Sequence, residues 1–370
     1  MGDILHSLPA VTALRRAHPH WQMDWVVEPK WLPLLTAERL GELPGLVPDG
    51  YRDPKRPVVD RIFPAAVKDW ARRPLSGATR REILALRREL KAGEYDAVLD
   101  LQGAVRSAGI GRMAGCRRVI GAAVPREPMA KWLYTELVPT AEPHVIGQAA
   151  ELADAIAGDL LDVEEPWLPV DPIAEMWCDM IPRLAEAREM GRPVVLVHPG
   201  GGWGAKRWPP DRYGVVAAEL ARRGAEILVH AGPGDEEVLA RVVVATAGIG
   251  RMVSCSLAEL IALTRRVSLV IGGDTGPAHL ASSLGKAVVG LYGPTDPVRN
   301  GPYWPRHRVL RNPESRTDHS RRGATEAGLL TIRPEAVLDA VLGLMMQEQR
   351  EAERHAPVEE ECVRKKKSRL

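Results

Sequence analysis

The sequence predicts an α/β protein made of two Rossmann-like, doubly wound parallel-sheet domains. Three observations carry that prediction. Short apolar runs of strand length recur in both halves, at 95–101, 193–197, 225–229, 269–271 and 287–292. Most end on a glycine-containing turn and lead into a segment of helical period, the alternation of a parallel sheet with helices on both faces. At 370 residues the chain is also long for one core, so two domains are expected.

Composition narrows the class without naming a function. Hydrophobic content of 45%, charged content of 26% and a net charge of +2 describe an ordinary globular protein. Cys116, Cys178, Cys255 and Cys362 show neither a CxxC pair nor a metal-type spacing and read as reduced thiols of a cytoplasmic protein. No apolar run reaches the ~20 residues that span a bilayer, and no signal peptide is visible, so a soluble or peripheral protein is expected.

In order, 1–19 (MGDILHSLPAVTALRRAHP) is an amphipathic helix with Ile4, Leu5, Leu8, Val11 and Leu14 at helical spacing. Asp3 stands at its start, where the helix dipole favours a carboxylate and an N-cap role is the plain reading. His6 follows one turn later, either lining a cleft or exposed. A strand at 23–27 comes next, so the unit reads as helix then strand, without an opening strand. The stretch 68–91 is basic: Arg80 to Lys91 reads as a solvated helix face, and Lys68, Arg72 and Arg73 as a loop suited to an anionic ligand, with Trp70 available for a sugar or membrane surface. No nucleic-acid motif or aromatic platform accompanies the bases, and no nucleic-acid partner is expected. The strand at 95–101 ends on Gln102-Gly103, and a helix at 104–114 carries Arg106 in its first turn. A short strand at 119–121, an irregular loop and helix at 125–137 with Arg126 and Lys131, and a helix at 144–156 complete this half.

An acid- and proline-rich connection, 159–171, leads through a helix at 173–189 into the second half. The expected organisation is 1–160, a connecting 161–191, a second domain at 192–347 and a charged, disordered tail at 348–370. The strand at 193–197 opens onto HPGGGWG, then Lys206-Arg207-Trp208-Pro209 and a helix at 210–223. A lysine after a flexible glycine turn at a strand end reaches a pyrophosphate or is a surface lysine. His198 reads as a loop histidine. The strand at 225–229 is followed by Glu236 at a helix start, either a ribose ligand or a first-turn acid. A helix at 257–264 leads to 267–297, where a strand, Gly272-Gly273, Asp274-Thr275-Gly276-Pro277, a helix at 278–284 and a strand at 287–292 follow one another. The unpaired N–H groups at that helix start form a seat for phosphate, or Asp274 and Thr275 merely cap it.

GGDTGPAHLASSLGK at 272–286 and GLYGPTDP at 290–297 resemble the signature of the bacterial lipopolysaccharide heptosyltransferases, glycosyltransferase family 9. Two further matches, at 2–11 and 198–209, stand in the family's order. The resemblance implies the glycosyltransferase B architecture, two domains facing a cleft, with the acceptor on the first and the nucleotide-sugar on the second. It implies inverting transfer of L-glycero-D-manno-heptose from ADP-heptose to Kdo of Kdo–lipid A, at the cytoplasmic face of the inner membrane and without a metal or other cofactor. Asp3 then becomes the catalytic base. Lys206, Glu236, Asp274, Thr275, Gly276 and His279 fall on the donor side, and His6, Arg72, Arg73, Gln102 and Arg106 on the acceptor side. Asp274 is expected to orient its turn, since its charge repels phosphate. Gly147 stands where family members commonly carry a glutamate. Family members also carry a strand before the first helix, so a start placed too late, or a truncated and inactive nucleotide-binding remnant, is an expectation of the same comparison. The helix DILHSLPAV is closer to first-step than second-step enzymes; a second-step transferase and a nucleotide-sugar epimerase are the alternatives.

Overall fold

The computed structural model describes residues 1–38, 52–232, 234–318, 320 and 322–355. The first half runs α1 (Gly2–Ala17), β1 (Asp24–Val27), β2 (Arg61–Pro64), α2 (Val67–Arg72), α3 (Gly77–Ala92), β3 (Ala97–Asp100), α4 (Val105–Met113), β4 (Arg118–Ala122), β5 (Glu136–Val138) and α5 (Val145–Ala157). Helices α6 (Pro172–Asp179) and α7 (Pro182–Glu189) connect it to the second half. There β6 (Val194–His198), α8 (Pro210–Arg222), β7 (Glu226–His230), α9 (Glu236–Ala245), β8 (Arg251–Val253), α10 (Leu257–Arg266), β9 (Leu269–Gly273), α11 (Gly276–Ser283) and β10 (Ala287–Tyr292) alternate. The short α12 (Pro297–Asn300), β11 (His307–Arg311), α13 (Ala327–Thr331) and α14 (Pro334–His355) close the chain.

The second half is a six-stranded parallel sheet in the order β11-β10-β9-β6-β7-β8. Successive residues of its strands point to opposite faces. Val194 and Leu196 of β6 and Val270 of β9 join one core, and Val195, Val197, Leu269 and Ile271 join another. Both faces are therefore covered, which explains why the strands read as unbroken apolar runs. The chain leaves β6 towards β7 and β8, then returns to β9 on the other side of β6. The switch point between β6 and β9 is where such sheets open a crevice at their carboxyl ends.

The first half departs from the expected single sheet. It holds two parallel sheets, β1-β2 and β3-β4-β5. No ladder joins β1 to β3 among the described residues; the link is made by side chains, the Tyr95 hydroxyl donating to Asp24 at 2.6 Å. Helix α1 lies between the halves: Leu5 and Leu8 share a core with Ala278, Leu280 and Ala281 of α11.

Several elements differ from the sequence reading. Residues 68–73 are not a loop; α2 covers most of them, and Trp70 packs on a core of Phe63, Leu86 and Leu90 while its indole donates to Glu82 at 2.7 Å. The expected helix at 173–189 is broken, because Pro182 has no N–H to continue it and starts α7 instead. Strand β5 emerges inside the segment read as loop and helix, and β8 and β11 are edge strands too short or too charged to signal themselves. Helix α14 extends into the expected tail as far as His355, its Arg306–Glu348 ion pair at 2.7 Å tying it down; 356–370 lies outside the described residues.

Candidate active site

The site lies where the first turns of α1 and α11 meet. A Cβ on Gly276 would collide with the Met1 side chain, and one on Gly2 would stand 3.6 Å from the His279 ring. Two helix N-termini, each with unpaired N–H groups and a positive dipole end, thus converge from opposite halves.

On the first half, Asp3 projects from the exposed side of α1. Its Oδ2 accepts from Gln102 Nε2 at 2.8 Å and from Arg126 at 3.3 Å. Gln102 is positioned by the turn after β3, where Asp100 Oδ1 accepts the Gln102 amide at 2.9 Å. The second oxygen of Asp100 accepts from Ser107 at 2.9 Å and Tyr134 at 2.7 Å. Burial, then the charge and hydrogen bond of Asp100, push the Tyr134 phenol far above its ordinary value, so it stays a donor. Asp100 opens the DLQG stretch at 100–103, whereas Arg126 stands in no motif that could announce it.

On the second half, the turn after β6 and the turn after β9 meet because their strands are neighbours. The Lys206 ammonium forms an ion pair with Asp274 and lies 4.1 Å from the centre of the Trp203 ring. Asp274 Oδ1 accepts from His279 Nε2 at 2.9 Å, and His279 Nδ1 lies 3.3 Å from His6 Nε2. Asp274 accepts the proton on His279 Nε2, so the other ring nitrogen, Nδ1, is the one turned towards His6. Burial alone would raise the Asp274 carboxyl, but the hydrogen bond and charge of His279 and then of Lys206 hold it well below the carboxylate range. Burial, followed by His279 and His144, depresses the His6 pKa. His6 is therefore held as a neutral ring between His279 and His144, ending a chain of contacts that begins at Lys206.

Thr275 occupies the N-cap position of α11 with its hydroxyl turned to Gly273 O at 3.3 Å, leaving the Thr275 and Gly276 amides at the helix tip. Glu236 begins α9 exposed, accepting from the Gly234 amide at 3.0 Å, and that backbone bond lowers its pKa. Arg207 is engaged by Asp235 at 2.5 Å and Gly201 O, so it braces the glycine turn. His198 is not a loop residue: it ends β6, buried, with its Nδ1 2.9 Å from His230 O. Arg72 and Arg73 are exposed on and just after α2, Arg72 paired with Asp69 at 3.3 Å, and Arg106 is exposed in the first turn of α4. Among the described residues none of the three bonds the Asp3 group. A further residue, His144, caps α5 through Nδ1, accepting from the Ile146 amide at 3.1 Å, and so donates from Nε2 to Gly301 O of the other half at 3.0 Å. Beside it, the space a Cβ at Gly147 would need is taken by the Glu142 side chain, 2.7 Å away.

The arrangement sets a carboxylate able to accept a proton opposite a cation and a helix tip able to neutralise an anion. Residues 83–329 match the model of glycosyltransferase family 9 (heptosyltransferase). The chain belongs to glycosyltransferase family 9. It is 28% identical over 350 residues to lipopolysaccharide heptosyltransferase 1 of Escherichia coli K12, covering 93% of this chain and 97% of that protein. The E. coli heptosyltransferase WaaC with ADP superposes with a TM-score of 0.71 at 25% identity, covering 93% of this chain and 97% of that one. A family 9 glycosyltransferase of Veillonella parvula DSM 2008 shares the fold, with a TM-score of 0.75 at 20% identity over 94% and 95% of the two chains. This family 9 member is a glycosyltransferase of the B architecture, and the converging helix tips lie in the cleft between its two halves.

Proposed function

We propose that this glycosyltransferase transfers L-glycero-D-manno-heptose from ADP-heptose to Kdo of Kdo–lipid A, with inversion at the anomeric carbon. The observation that carries the reading is the juxtaposition of Asp3 with the Lys206–Asp274–His279 group across the contact of α1 with α11. In this reading Asp3 removes the proton of the acceptor hydroxyl as its oxygen attacks the anomeric carbon, and the glycosidic bond to ADP breaks on the opposite face. The departing diphosphate gathers charge that Lys206 and the amides of Thr275 and Gly276 neutralise, so no metal is assigned a role. Gln102 and Arg126 hold the Asp3 carboxylate in place, and Arg126, Arg106, Arg72 and Arg73 offer cations to an anionic acceptor. Glu236, at the start of α9 beyond β7, is suited to ribose hydroxyls. The reaction is placed at the cytoplasmic surface of the inner membrane, where a lipid-linked acceptor is presented.

The test is a transfer assay with ADP-heptose and Kdo–lipid A. Asp3→Asn is expected to lower kcat by about 10²–10⁴-fold while ADP affinity stays within about twofold of the parent. A chelator is expected to leave the rate unchanged. Undiminished turnover by Asp3→Asn would remove the base from the mechanism. Transfer onto the already heptosylated acceptor, and not onto Kdo–lipid A, would assign the second step instead.

A further inference from the structure

Beyond Arg126, the segment joining β4 to β5 carries an apolar row to which the reaction assigns no role. Residues Pro128–Leu133 form a 3-10 helix, in which side chains three apart lie in one row. Ala130 and Leu133 make the inner row, packed with Ala108, Val119 and Tyr134. Met129 and Trp132 make the outer row, 66% and 74% exposed. Trp132 is the most exposed aromatic side chain among the described residues, and Val124, 86% exposed, precedes it on the same segment. Val105 is drawn alongside, since its amide donates to Glu127 at 2.8 Å while the Glu127 amide donates to Gly103 O at 2.9 Å.

The exposure is built in. Gly103 has φ +66°, and a Cβ there would stand 2.9 Å from the Arg126 amide, so the segment lies flush against the turn before α4. Three bases flank the apolar row, with Glu127 the acid among them. Lys131 stands 5.2 Å from the centre of the Trp132 ring, Arg126 flanks the row, and Arg106 neighbours Val105. The acids nearby are engaged: Glu127 accepts from the Val105 amide, and Glu136 pairs with Arg118 at 2.9 Å. An aromatic and a thioether rimmed by bases match the boundary between anionic headgroups and acyl chains, where indole rings settle and each added base strengthens attraction.

We propose that Met129 and Trp132 dock the enzyme on an anionic lipid bilayer, with Lys131, Arg126 and Arg106 meeting lipid phosphates. The inference rests on the acceptor reading above, because Arg126 also reaches Asp3 at 3.3 Å and so joins the docking surface to the acceptor end of the cleft. It moves the membrane contact away from Trp70, whose indole is committed to the protein.

The experiment is sedimentation of the full chain with vesicles of phosphatidylglycerol and phosphatidylethanolamine, and with phosphatidylcholine alone. The parent protein is expected to sediment with the anionic vesicles and to be released by salt. Met129→Ser/Trp132→Ser is expected to lower the partition coefficient at least about tenfold, with an unchanged unfolding midpoint because both side chains lie in solvent. Lys131→Glu, as an independent variant, is expected to weaken binding to anionic vesicles only. Turnover of a deacylated, water-soluble acceptor is expected to be the same in all three. Loss of that turnover in the parent would count against the proposed function while leaving the vesicle result to stand alone. Parent protein that stays in the supernatant, variants that sediment like the parent, or vesicle-free self-association abolished by the double substitution would each overturn the docking proposal.

Discussion

At the scale of single residues, the contrast between Arg15 and Arg16 shows what burial does to a charge. The Arg15 side chain is 1% exposed; its guanidinium pairs with Asp60 at 2.6 Å and donates to Val58 O at 2.8 Å, Pro19 O at 2.9 Å and Trp21 O at 2.6 Å. Burial opposes the Asp60 charge, yet the Met23 amide, Arg52 and Arg15 together lower its pKa. Arg16 pairs with Glu164 at 2.5 Å in solvent. Removing the Arg15 guanidinium leaves three carbonyls unmet and takes from Asp60 one of its two arginine partners, so Arg15→Ala is expected to cost about 3–5 kcal/mol in urea unfolding. Arg16→Ala is expected to cost under about 1 kcal/mol. In the sequence both are basic residues in the last turn of a helix, alike in everything local. The same limit hid Arg126, whose role depends on Asp3, 123 residues away in the chain.

At the scale of elements, the turn that presents Lys206 is clamped by the segment at 322–326. Ala205 donates to Arg322 O at 3.1 Å, Glu326 donates to Ala205 O at 3.2 Å, and the Thr325 hydroxyl donates to Arg207 O at 3.0 Å. Gly204 lies so close that a Cβ would run into the Gly323 carbonyl. Gly204→Ala therefore forces the two segments apart, and overpacking of this kind costs about 1–3 kcal/mol. We expect a lower unfolding temperature and an ADP affinity weakened about tenfold in calorimetric titration, with the Asp3 side of the cleft unaffected. Long buried strands and amphipathic helices such as β6, β10, α5 and α8 were legible from apolar pattern. Short α2, edge β8 and β11, and the break between α6 and α7 were not, since each is settled by one proline, one capping contact or one neighbouring strand.

At the scale of the molecule, four histidines are held neutral by the fold. Burial lowers His6, His144, His198 and His230, the last two to about 3 and about 4, His230 acting on His198 as well. Unfolded, each returns to about 6.5. Below that pH the unfolded chain binds more protons than the native one, so native stability is complete above about pH 6.5 and falls as pH drops towards the depressed values. Each histidine contributes a slope approaching 1.4 kcal/mol per pH unit, about the free energy of one proton equilibrium shifted by one unit. Asp274 acts in the opposite sense of charge and at lower pH, its stabilisation persisting above the ordinary carboxylate pKa and vanishing as it is protonated. Urea unfolding between about pH 7 and pH 5 is expected to show a steepening loss of stability, with the slope in His198→Asn reduced by about 1 kcal/mol per pH unit over that range.

The α/β class and the alternation of the second half were present in the sequence itself, because strand burial and glycine turns leave local patterns, while Asp3, Lys206 and Asp274 were singled out only by the likeness of their stretches to family 9 motifs. What the tertiary structure decided is which turns meet. Lys206 and Asp274 share a bond because β6 and β9 are neighbours at the point where strand order reverses. His6 touches His279 because α1 packs on α11 across 273 residues of chain. Strand order and helix packing depend on cores assembled from distant segments, and no window of sequence contains that information.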